Sequence, residues 1–477
     1  MKVKAEQVCA ATGGTLTSGR ADTLFHSVTI DSRTATRGAL FVPLPGTRTD
    51  GHAYLGAAVR GGAAGFLYAR HRGIDADASA AGAVGIGVSD PLTALQDLAA
   101  WHRTRLPARV VGIAGSNGKT TTKELLAQVC AAHKPSLATL GNLNNQIGLP
   151  LTLLRADGAE DILILEMGTS GPGELSLLSR LARPHIGVIT SIAEEHTEML
   201  TDLSGVIAAE TELIATLPAN GLAIINGDDA ALLEAVARQA RCRVVTFGEK
   251  DTNTFRAADI RVSRGGTRFV LRAPVGTCPV RLGLLGGHFA LAALVAIAVA
   301  TECGIGLEAV CHALQTAHGA PRRMAVLAAP ERELTILDDS YNANPASVRQ
   351  ALLTAAQVRT AGERLLVVLG DMLELGTLSP VRHQEMGEVV AGLNPRPDLL
   401  ITVGREARAL AAQAQARGVS VRAFGTAAEA ADFMRDTVEG YAGPQLVLVK
   451  GSRGVQLEIV TQALGVKDIG DDRSPSG

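Results

Sequence analysis

The chain has 477 residues, of which 47% are hydrophobic, and its formal net charge is −2. This length predicts about three domains, and the near-neutral charge excludes bulk basicity as a means of binding nucleic acid or acidic membranes. The six cysteines form no CxxC pair, so we expect reduced core thiols rather than zinc ligands or disulfides.

The apolar runs are too short for a membrane span. The longest, residues 289–300, falls well below the roughly 20 residues that a span needs, and it predicts a buried helix. The N-terminal segment also lacks the apolar stretch of a signal peptide. We therefore expect a soluble, cytoplasmic protein without membrane insertion.

Residues 1–107 predict a first α/β unit. Segments 23–33 and 39–46 are typical of strands, and a small-residue helix and another strand follow within 56–70. Polar residues lie where the first two strands end, around residue 32 and in the turn at 47–52. These residues either hold a ligand or serve as turn residues, and their spacing alone favours the turn.

Residues 109–122, RVVGIAGSNGKTTT, predict a strand, a glycine-rich loop and a helix, which is the context of a phosphate-binding P-loop. Glycines let several N–H groups point at an anion, and the helix N-terminus adds a positive dipole end. Lys119 is expected to reach the β- and γ-phosphates, and Thr120 to offer its hydroxyl to Mg²⁺. Ile113 replaces the usual first glycine, and neighbouring glycines supply the flexibility. A glycine turn with a surface lysine is the alternative, and the flanking strand and helix disfavour it.

Residues 108–319 alternate strands with helices, as expected for a doubly wound parallel sheet. Apolar runs at 161–168, 185–192 and 221–226 predict parallel strands. Over 256–285 the apolar period shortens towards two, which indicates a β-hairpin excursion.

Residues 320–466 alternate again and predict a Rossmann-like unit, although no G-x-G-x-x-G follows its first strand to suggest dinucleotide binding. The polar tail 467–477 is expected to be disordered. The sequence therefore predicts an α/β protein of three domains, 1–107, 108–319 and 320–466, with a central P-loop sheet and a C-terminal Rossmann-like domain.

Three side chains of the central unit are candidate ligands. Glu166 and His196 follow strands beside the P-loop strand, at the edge where ligands bind in parallel sheets. Glu166 suits Mg²⁺, which prefers oxygen, but it equally suits a helix cap or an ion pair. His196 is either a second metal ligand or a structural histidine.

Glu210 falls on the apolar stripe of the helix predicted from Asp202, four residues after Val206 and four before Ile214. A charge on that stripe is costly unless it is paired or bound to a metal. A stripe rotated by one position would instead leave Glu210 at its edge, and the pattern leaves both interpretations open.

Dense polar loops at 141–148, 338–345 and 450–453 also lie at strand ends. Because they belong to two α/β units, they predict a cleft between these units, although each loop alone also fits turn chemistry.

Taken together, these motifs resemble those of the Mur ligases of peptidoglycan synthesis over nearly the whole chain. DSR…GTRTDGH resembles the family's UDP-binding domain, while GSNGKTTTKE, GNLNNQIGLPLTLL and EMGTSGPGEL resemble its ATPase core. DDSYNANPAS, LGDMLELG and KGSRG resemble its C-terminal domain. DDSYNANP with GNLNN is similar to the branch that adds a dipeptide, and the Asp-Asn-Pro-Arg signature of the diaminopimelate- or lysine-adding branch is absent.

The resemblance implies an ATP- and Mg²⁺-dependent ligase that joins D-alanyl-D-alanine to UDP-N-acetylmuramoyl-tripeptide through an acyl phosphate. We further expect a monomer that does not bind nucleic acid. The resemblance also implies catalytic roles for Lys119, Glu166, His196 and Glu210, and metal ligation by Thr120, Glu166 and His196. The residues implied to bind ATP are Gly115, Ser116, Asn117, Gly118, Lys119, Thr120, Thr121, Asn145, Arg323, Asp339, Asn342 and Asn344. Those implied to bind the uridine nucleotide are Ser32, Arg33, Asp50 and His52.

The chain departs from the family pattern at three places. Glu210 stands where the family usually has a carboxylated lysine, and we expect it to replace part of that function beside Mg²⁺. Phe289 and Ala292 stand in place of two asparagines near the adenine, and Thr169-Ser170-Gly171 replaces an ANH-type segment.

These departures motivate an alternative, a weakly active or non-catalytic homologue that binds nucleotide in a regulatory role. A P-loop GTPase switch is a third hypothesis, and the missing Asn-Lys-x-Asp guanine motif disfavours it.

Overall fold

Three larger β-sheets organise the part of the chain that the computed structural model describes, which comprises residues 1–46, 49–74, 82–194, 197–465 and 467–468. Each sheet carries helices on its faces and corresponds to one stretch of sequence. The protein is therefore of the α/β class, as predicted.

The N-terminal stretch contains short strands and helices. Its strands are β1 (Val3–Lys4), β2 (Thr15–Ser18), β3 (Leu24–Phe25), β4 (Ser27–Thr29), β5 (Ala39–Phe41), β6 (Gly65–Ala69) and β7 (Val84–Val88). Its helices are α1 (Ala5–Thr12), α2 (Leu55–Arg60) and α3 (Pro91–Arg103). The sheet order is β2-β7-β6-β5-β4, with β2 antiparallel to a parallel core.

Two aspartates start short 3-10 turns in this stretch. Asp31 accepts a hydrogen bond from the N–H of Arg33, and Asp50 accepts one from the N–H of His52. Helix α3 begins in a similar way, because Asp90 caps it and Pro91 occupies its first turn.

The central stretch forms a mixed sheet in the order β16-β15-β14-β13-β12-β11-β8-β10-β9. Its strands are β8 (Arg109–Ala114), β9 (Ser136–Ala138), β10 (Ile162–Glu166), β11 (Ile186–Ile189), β12 (Leu222–Asn226), β13 (Arg243–Gly248), β14 (Phe255–Ser263), β15 (Gly266–Ala273) and β16 (Gly276–Leu282). Its helices are α4 (Lys119–Ala131), α5 (Gly148–Arg155), α6 (Glu174–Ala182), α7 (Thr197–Leu200), α8 (Leu203–Ala215), α9 (Ala230–Gln239), α10 (His288–Glu302) and α11 (Leu307–Thr316).

Strands β8 to β14 pair in parallel, which confirms the predicted doubly wound sheet. The predicted excursion over 256–285 is an antiparallel meander of β14, β15 and β16 that extends the same sheet. The apolar run 289–300 forms the buried helix α10, which packs against α4. No helix within the described residues is both long and apolar enough to span a membrane.

The C-terminal stretch forms the sheet β21-β20-β19-β22-β18-β17-β23. Its strands are β17 (Ala325–Ala329), β18 (Leu334–Asp339), β19 (Arg364–Gly370), β20 (Leu399–Val403), β21 (Val421–Phe424), β22 (Gln445–Lys450) and β23 (Lys467–Asp468). Its helices are α12 (Pro345–Val358), α13 (Ser379–Gly392), α14 (Ala407–Ala416), α15 (Ala427–Glu439) and α16 (Glu458–Ala463). The core of this sheet is parallel, as predicted.

The start of the polar tail differs from expectation. Lys467–Asp468 pair antiparallel with β17 and add an edge strand to the last sheet, because β17 otherwise leaves backbone groups unpaired there. Residues 469–477, the rest of the predicted disordered tail, lie outside the described residues. The boundaries near residues 107 and 319 stay predictions.

Helix α3 joins the first two units, because it packs on α5 and α6 of the central stretch. Leu95 and Leu98 of α3 share a hydrophobic cluster with Leu149 and Leu178. The carboxyl ends of β8, β10 and β11 meet at one edge of the central sheet, opposite the last unit.

Candidate functional site

The loop after β8 is held from behind by the protein itself. Gly115 has a φ of +117°, and a Cβ added there would overlap Thr190, so the position requires glycine. The N–H of Ser116 donates to the Ser191 carbonyl at 2.7 Å, and the N–H of Asn117 donates to the Ser191 hydroxyl at 3.1 Å. The exit of β11 therefore fixes the shape of the loop.

Glu210 supplies the third support of this loop. It is 1% exposed, and its Oε2 accepts the N–H of Gly115 at 2.6 Å. The interpretation that placed Glu210 at the edge of its stripe is therefore wrong, because the inward face of α8 lies directly behind the loop. The N–H of Gly115 is therefore occupied by Glu210, and the binding of nucleotide by Gly115 stays a prediction.

The remaining part of the loop opens onto a cavity. Gly118, Lys119, Thr120 and Thr121 line it at the positive end of helix α4. The ammonium of Lys119 donates to the carbonyl of Gly115 and, at 3.3 Å, to that of Ser116. Lys119 thus lies over the loop, where an anion bound to the helix terminus would meet it.

Glu166 ends β10 beside this helix terminus and is 2% exposed. Its Oε1 accepts the Thr120 hydroxyl at 3.2 Å and the Asn144 amide at 2.9 Å. Its Oε2 is buried and makes no hydrogen bond to any described residue. A carboxylate oxygen of this kind beside a threonine hydroxyl is a donor set that fits Mg²⁺.

A lysine lies next to this carboxylate. Lys123 is fully buried on α4, one turn after Lys119, and its Nζ lies 3.5 Å from Oε2 of Glu166. The same ammonium donates to the carbonyl of Gly141 at 3.0 Å. The polar loop that starts at Gly141 is thereby tied to the end of β10.

Residues of the C-terminal unit complete the opposite wall. Arg323 donates to the Thr120 hydroxyl at 3.0 Å, and its guanidinium lies 4.1 Å from the ring centroid of Tyr341. Asn344, which also caps α12, donates its amide to Oδ1 of Asn117 at 2.8 Å. The two units therefore meet directly over the P-loop.

Lys450 organises the loop that carries this wall. Its Nζ lies 2.6 Å from Oδ2 of Asp339 and donates to the Asn342 carbonyl at 2.9 Å. The other oxygen of Asp339 accepts the N–H of Met324 at 3.1 Å, in the segment that links the two units. Asp339 thus holds the linker and its loop in one arrangement.

A second contact between the units lies farther along the same edge. Arg382 on α13 donates to both carboxylate oxygens of Glu194, each at 2.7 Å, and to Glu385 on its own helix. Hydrogen bonds from Arg382 to Glu385 and Glu194 raise the pKa of this guanidinium. The pair is a two-point bridge between the loop after β11 and the last unit.

These walls enclose a cavity of about 920 Å³. Its lining includes the polar P-loop and Glu166 and also apolar side chains, among them Ile260, Phe289 and Val295. His288 is part of this lining, and its buried Nδ1 has no hydrogen-bond partner among the described residues. Burial lowers the pKa of His288 to about 4, so the imidazole is neutral near pH 7.

Three family models match in chain order: Mur ligase family, catalytic domain, at 24–103; Mur ligase middle domain at 113–300; and Mur ligase, glutamate ligase domain, at 322–453. The chain is also 36% identical over 447 residues to UDP-N-acetylmuramoyl-tripeptide–D-alanyl-D-alanine ligase of Escherichia coli (strain K12), covering 93% of this chain and 94% of that protein.

The chain belongs to the Mur ligase family. A ligase of the same name from Bacillus subtilis (strain 168) is 35% identical over 93% of each chain. Among solved structures, MurF from Acinetobacter baumannii superposes with a TM-score of 0.87 at 29% identity, covering 97% of this chain and 99% of that one. MurF ligase from Thermotoga maritima in complex with ADP gives a TM-score of 0.80 at 26% identity, with coverage of 92% and 97%. The predicted three-domain architecture is confirmed by these structures.

In this Mur ligase, most of the residues predicted for ATP and metal line the one cavity described above. They are Ser116, Asn117, Gly118, Lys119, Thr120, Thr121, Asn145, Glu166, Arg323, Asp339, Asn342 and Asn344. Gly115 and Glu210 lie behind its wall, and His196 lies outside the described residues.

The residues predicted for the uridine nucleotide are not part of this cavity. Arg33 pairs with Asp31 at 2.6 Å, and His52 Nδ1 lies 2.8 Å from Asp50. The 3-10 turns that carry Ser32 and His52 both contact α2. Their role in this Mur ligase stays a prediction.

Lys123, which lies behind the cavity wall and contacts Glu166, was not predicted from the sequence. Asn144, Tyr341 and Lys450 lie in the polar loops predicted to form the cleft, but their individual contacts were not predicted. Asn144 donates to Glu166, Tyr341 lies under Arg323, and Lys450 contacts Asp339. Lys123 follows Lys119 by one helical turn. This spacing in the sequence would have predicted a second lysine on the same face of the helix.

Proposed function

We propose that this chain is an ATP-dependent ligase that joins D-alanyl-D-alanine to UDP-N-acetylmuramoyl-tripeptide. The two curated relatives described above carry that name, and the chain covers more than nine-tenths of each. The observation that carries the proposal is the cavity in which the P-loop helix and Glu166 face Arg323 and Asn344 of another unit. A ligase must hold an activated acyl group next to the attacking amine and away from water, which a cleft between two facing units allows.

The reaction has two transfers, and it balances without a further reactant. A carboxylate oxygen of the tripeptide attacks the γ-phosphorus of ATP, the bond to the β-γ bridging oxygen breaks, and ADP leaves. The amine of D-alanyl-D-alanine then attacks the acyl phosphate, inorganic phosphate leaves with the bonding electron pair, and the nitrogen loses a proton. The product is an amide.

The residues of the chain contribute position and charge. The N-terminus of α4 and Lys119 offset negative charge on the transferring phosphoryl group, for which Lys119 exchanges its carbonyl contacts for phosphate oxygens. Arg323 brings a second cation from the C-terminal unit to the same place. Glu210 acts through Gly115 and keeps the loop in shape for the anion.

Thr120 and Glu166 are the described residues that would hold Mg²⁺, with His196 as a further predicted ligand. The fit is supported by the buried Oε2 of Glu166, which accepts no hydrogen bond from a described residue, and by the Thr120 hydroxyl beside this carboxylate. Bound there, the ion would neutralise phosphate charge. A role for Glu210 beside that ion, and a monomeric, cytoplasmic state, stay predictions.

A product assay tests the proposed function. The purified chain is incubated with ATP, Mg²⁺, D-alanyl-D-alanine and candidate UDP-N-acetylmuramoyl-tripeptides, and the products are identified by mass spectrometry. We expect a UDP-pentapeptide and phosphate release that requires both substrates. Nucleotide binding without product or substrate-dependent phosphate release would support the alternative of a non-catalytic homologue instead.

A further inference from the structure

The lysine that sequence reasoning missed is the strongest remaining feature of the site. Lys123 is 0% exposed, although lysine is rarely buried completely without a specific partner. It lies on the buried face of α4, directly behind the cavity wall that contains Thr120 and Glu166.

Three oxygens surround this ammonium, one as a hydrogen-bond acceptor and two as ion-pair partners. Its Nζ lies 2.9 Å from Oε1 of Glu124, 3.0 Å from the Gly141 carbonyl and 3.5 Å from Oε2 of Glu166. The longest of these contacts is to the oxygen that makes no hydrogen bond to a described residue. The Lys123 ammonium therefore offsets the negative charge of Oε2. The lone pairs of Oε2 still accept no hydrogen bond from a described residue.

We propose that Lys123 is a positioning residue whose ammonium takes the place of a divalent cation on Glu166 in the metal-free protein. Glu166 then becomes a metal ligand mainly when the metal arrives together with nucleotide phosphates. This inference rests on the proposed function, because it assigns Glu166 to the metal of an ATP-dependent reaction.

The physical basis is a competition between two cations for one carboxylate. An ammonium 3.5 Å away lowers the local negative potential and disfavours a bare divalent ion. A nucleotide adds phosphate charges on the cavity side, which restores attraction for the ion. Removing the lysine charge leaves the carboxylates of Glu124 and Glu166 without this counter-charge, so the nucleotide-free protein should bind metal more tightly.

The test measures Mn²⁺ binding by electron paramagnetic resonance in the absence of nucleotide. We expect Lys123→Met to bind Mn²⁺ about tenfold more tightly than the wild type, because the repulsion between the ammonium and the ion is lost. The matched control is Lys134→Met, which removes a lysine that donates to the Cys303 carbonyl at 2.8 Å, outside the residues that line the cavity. This control should bind Mn²⁺ as the wild type does.

A second variant guards against misfolding of the first. Lys123→Met combined with Glu166→Gln removes both charges, and we expect it to fold and to lose the tightened binding. Equal Mn²⁺ affinity in the wild type and Lys123→Met would overturn the inference, and so would failure of both variants to fold, since the lysine would then be purely structural.

The proposed function is judged separately in the same preparations. Binding of an ATP analogue to the wild type, measured by calorimetry, supports nucleotide use whatever the Mn²⁺ result. Absence of that binding would count against the proposed function, whereas normal binding with unchanged Mn²⁺ affinity would count only against the role of Lys123.

Discussion

The buried carboxylate of Glu210 accepts the N–H of Gly115 at 2.6 Å, although the two residues lie 95 positions apart in the sequence. The contact places a charge of helix α8 behind the loop that faces the cavity. It gives that charge a partner, which a buried carboxylate requires.

Replacement of Glu210 should therefore affect nucleotide use. Glu210→Ala leaves a buried N–H without its acceptor, at a cost of about 1–3 kcal/mol, and we expect kcat/KM for ATP to fall roughly ten- to hundredfold. Glu210→Gln keeps an oxygen acceptor and should lose less than about tenfold. Steady-state kinetics with varied ATP provide the measurement. An unchanged kcat/KM in Glu210→Ala would contradict the supporting role.

Glu212 offers a control on the same helix, two residues away. It accepts the N–H groups of Gly173 and Ser176 at 2.7 and 2.9 Å, and so caps helix α6 rather than the P-loop. Glu212→Ala should lower the stability by about 1–2 kcal/mol, seen as a lower Tm in thermal unfolding, with little change in the KM for ATP. Glu234→Ala, which removes an exposed pair with Arg238, should cost less than about 0.5 kcal/mol. Equal losses of stability in Glu212→Ala and Glu234→Ala would argue against the capping role of Glu212.

The bridge between Arg382 and Glu194 should contribute to closure over the substrates. A double-mutant cycle of Arg382→Ala and Glu194→Ala, measured as kcat/KM, is expected to give a coupling of about 1 kcal/mol that shrinks at high salt. The pair of Arg435 and Asp432, within one helix, serves as the comparison and should give no coupling in kcat/KM. Strictly additive effects of the first pair would show that the bridge does not bear on catalysis.

The neutral His288 predicts a pH dependence of stability. Burial lowers the pKa of His288 in the folded protein to about 4. Of the nearby charges, Asp339 acts to raise this pKa and Lys450 acts to lower it. Since the unfolded chain binds a proton at about pH 6.5 and the folded protein does not, stability falls as the pH drops from about 6.5 to 4, by up to about 3 kcal/mol.

His288→Gln should flatten this part of the pH profile, because glutamine does not titrate. Urea unfolding at pH 4.5 and pH 7 gives the comparison. A loss of stability on acidification that is equal in the variant and the wild type would exclude His288 as its source.

Local patterns in the sequence determined much of this protein. The β-branched run before Gly115 and the apolar residues at helical spacing after Lys119 predict a strand and a helix, and both elements form. Glu166 could be placed at the ligand-binding edge because parallel strands all end on the same side of a sheet.

Only the tertiary structure decided which distant groups meet. Arg323 and Thr120 are 203 positions apart, and Lys450 and Asp339 are 111 apart, so no helical or strand period connects them. The apolar stripe of α8 did not decide whether Glu210 is buried. Each residue turns the helix by about 100°, so a stripe shifted by one position would have placed Glu210 at its edge. Packing against the P-loop resolved it, since contacts of this kind depend on how whole sheets and helices stack rather than on the order of neighbouring residues.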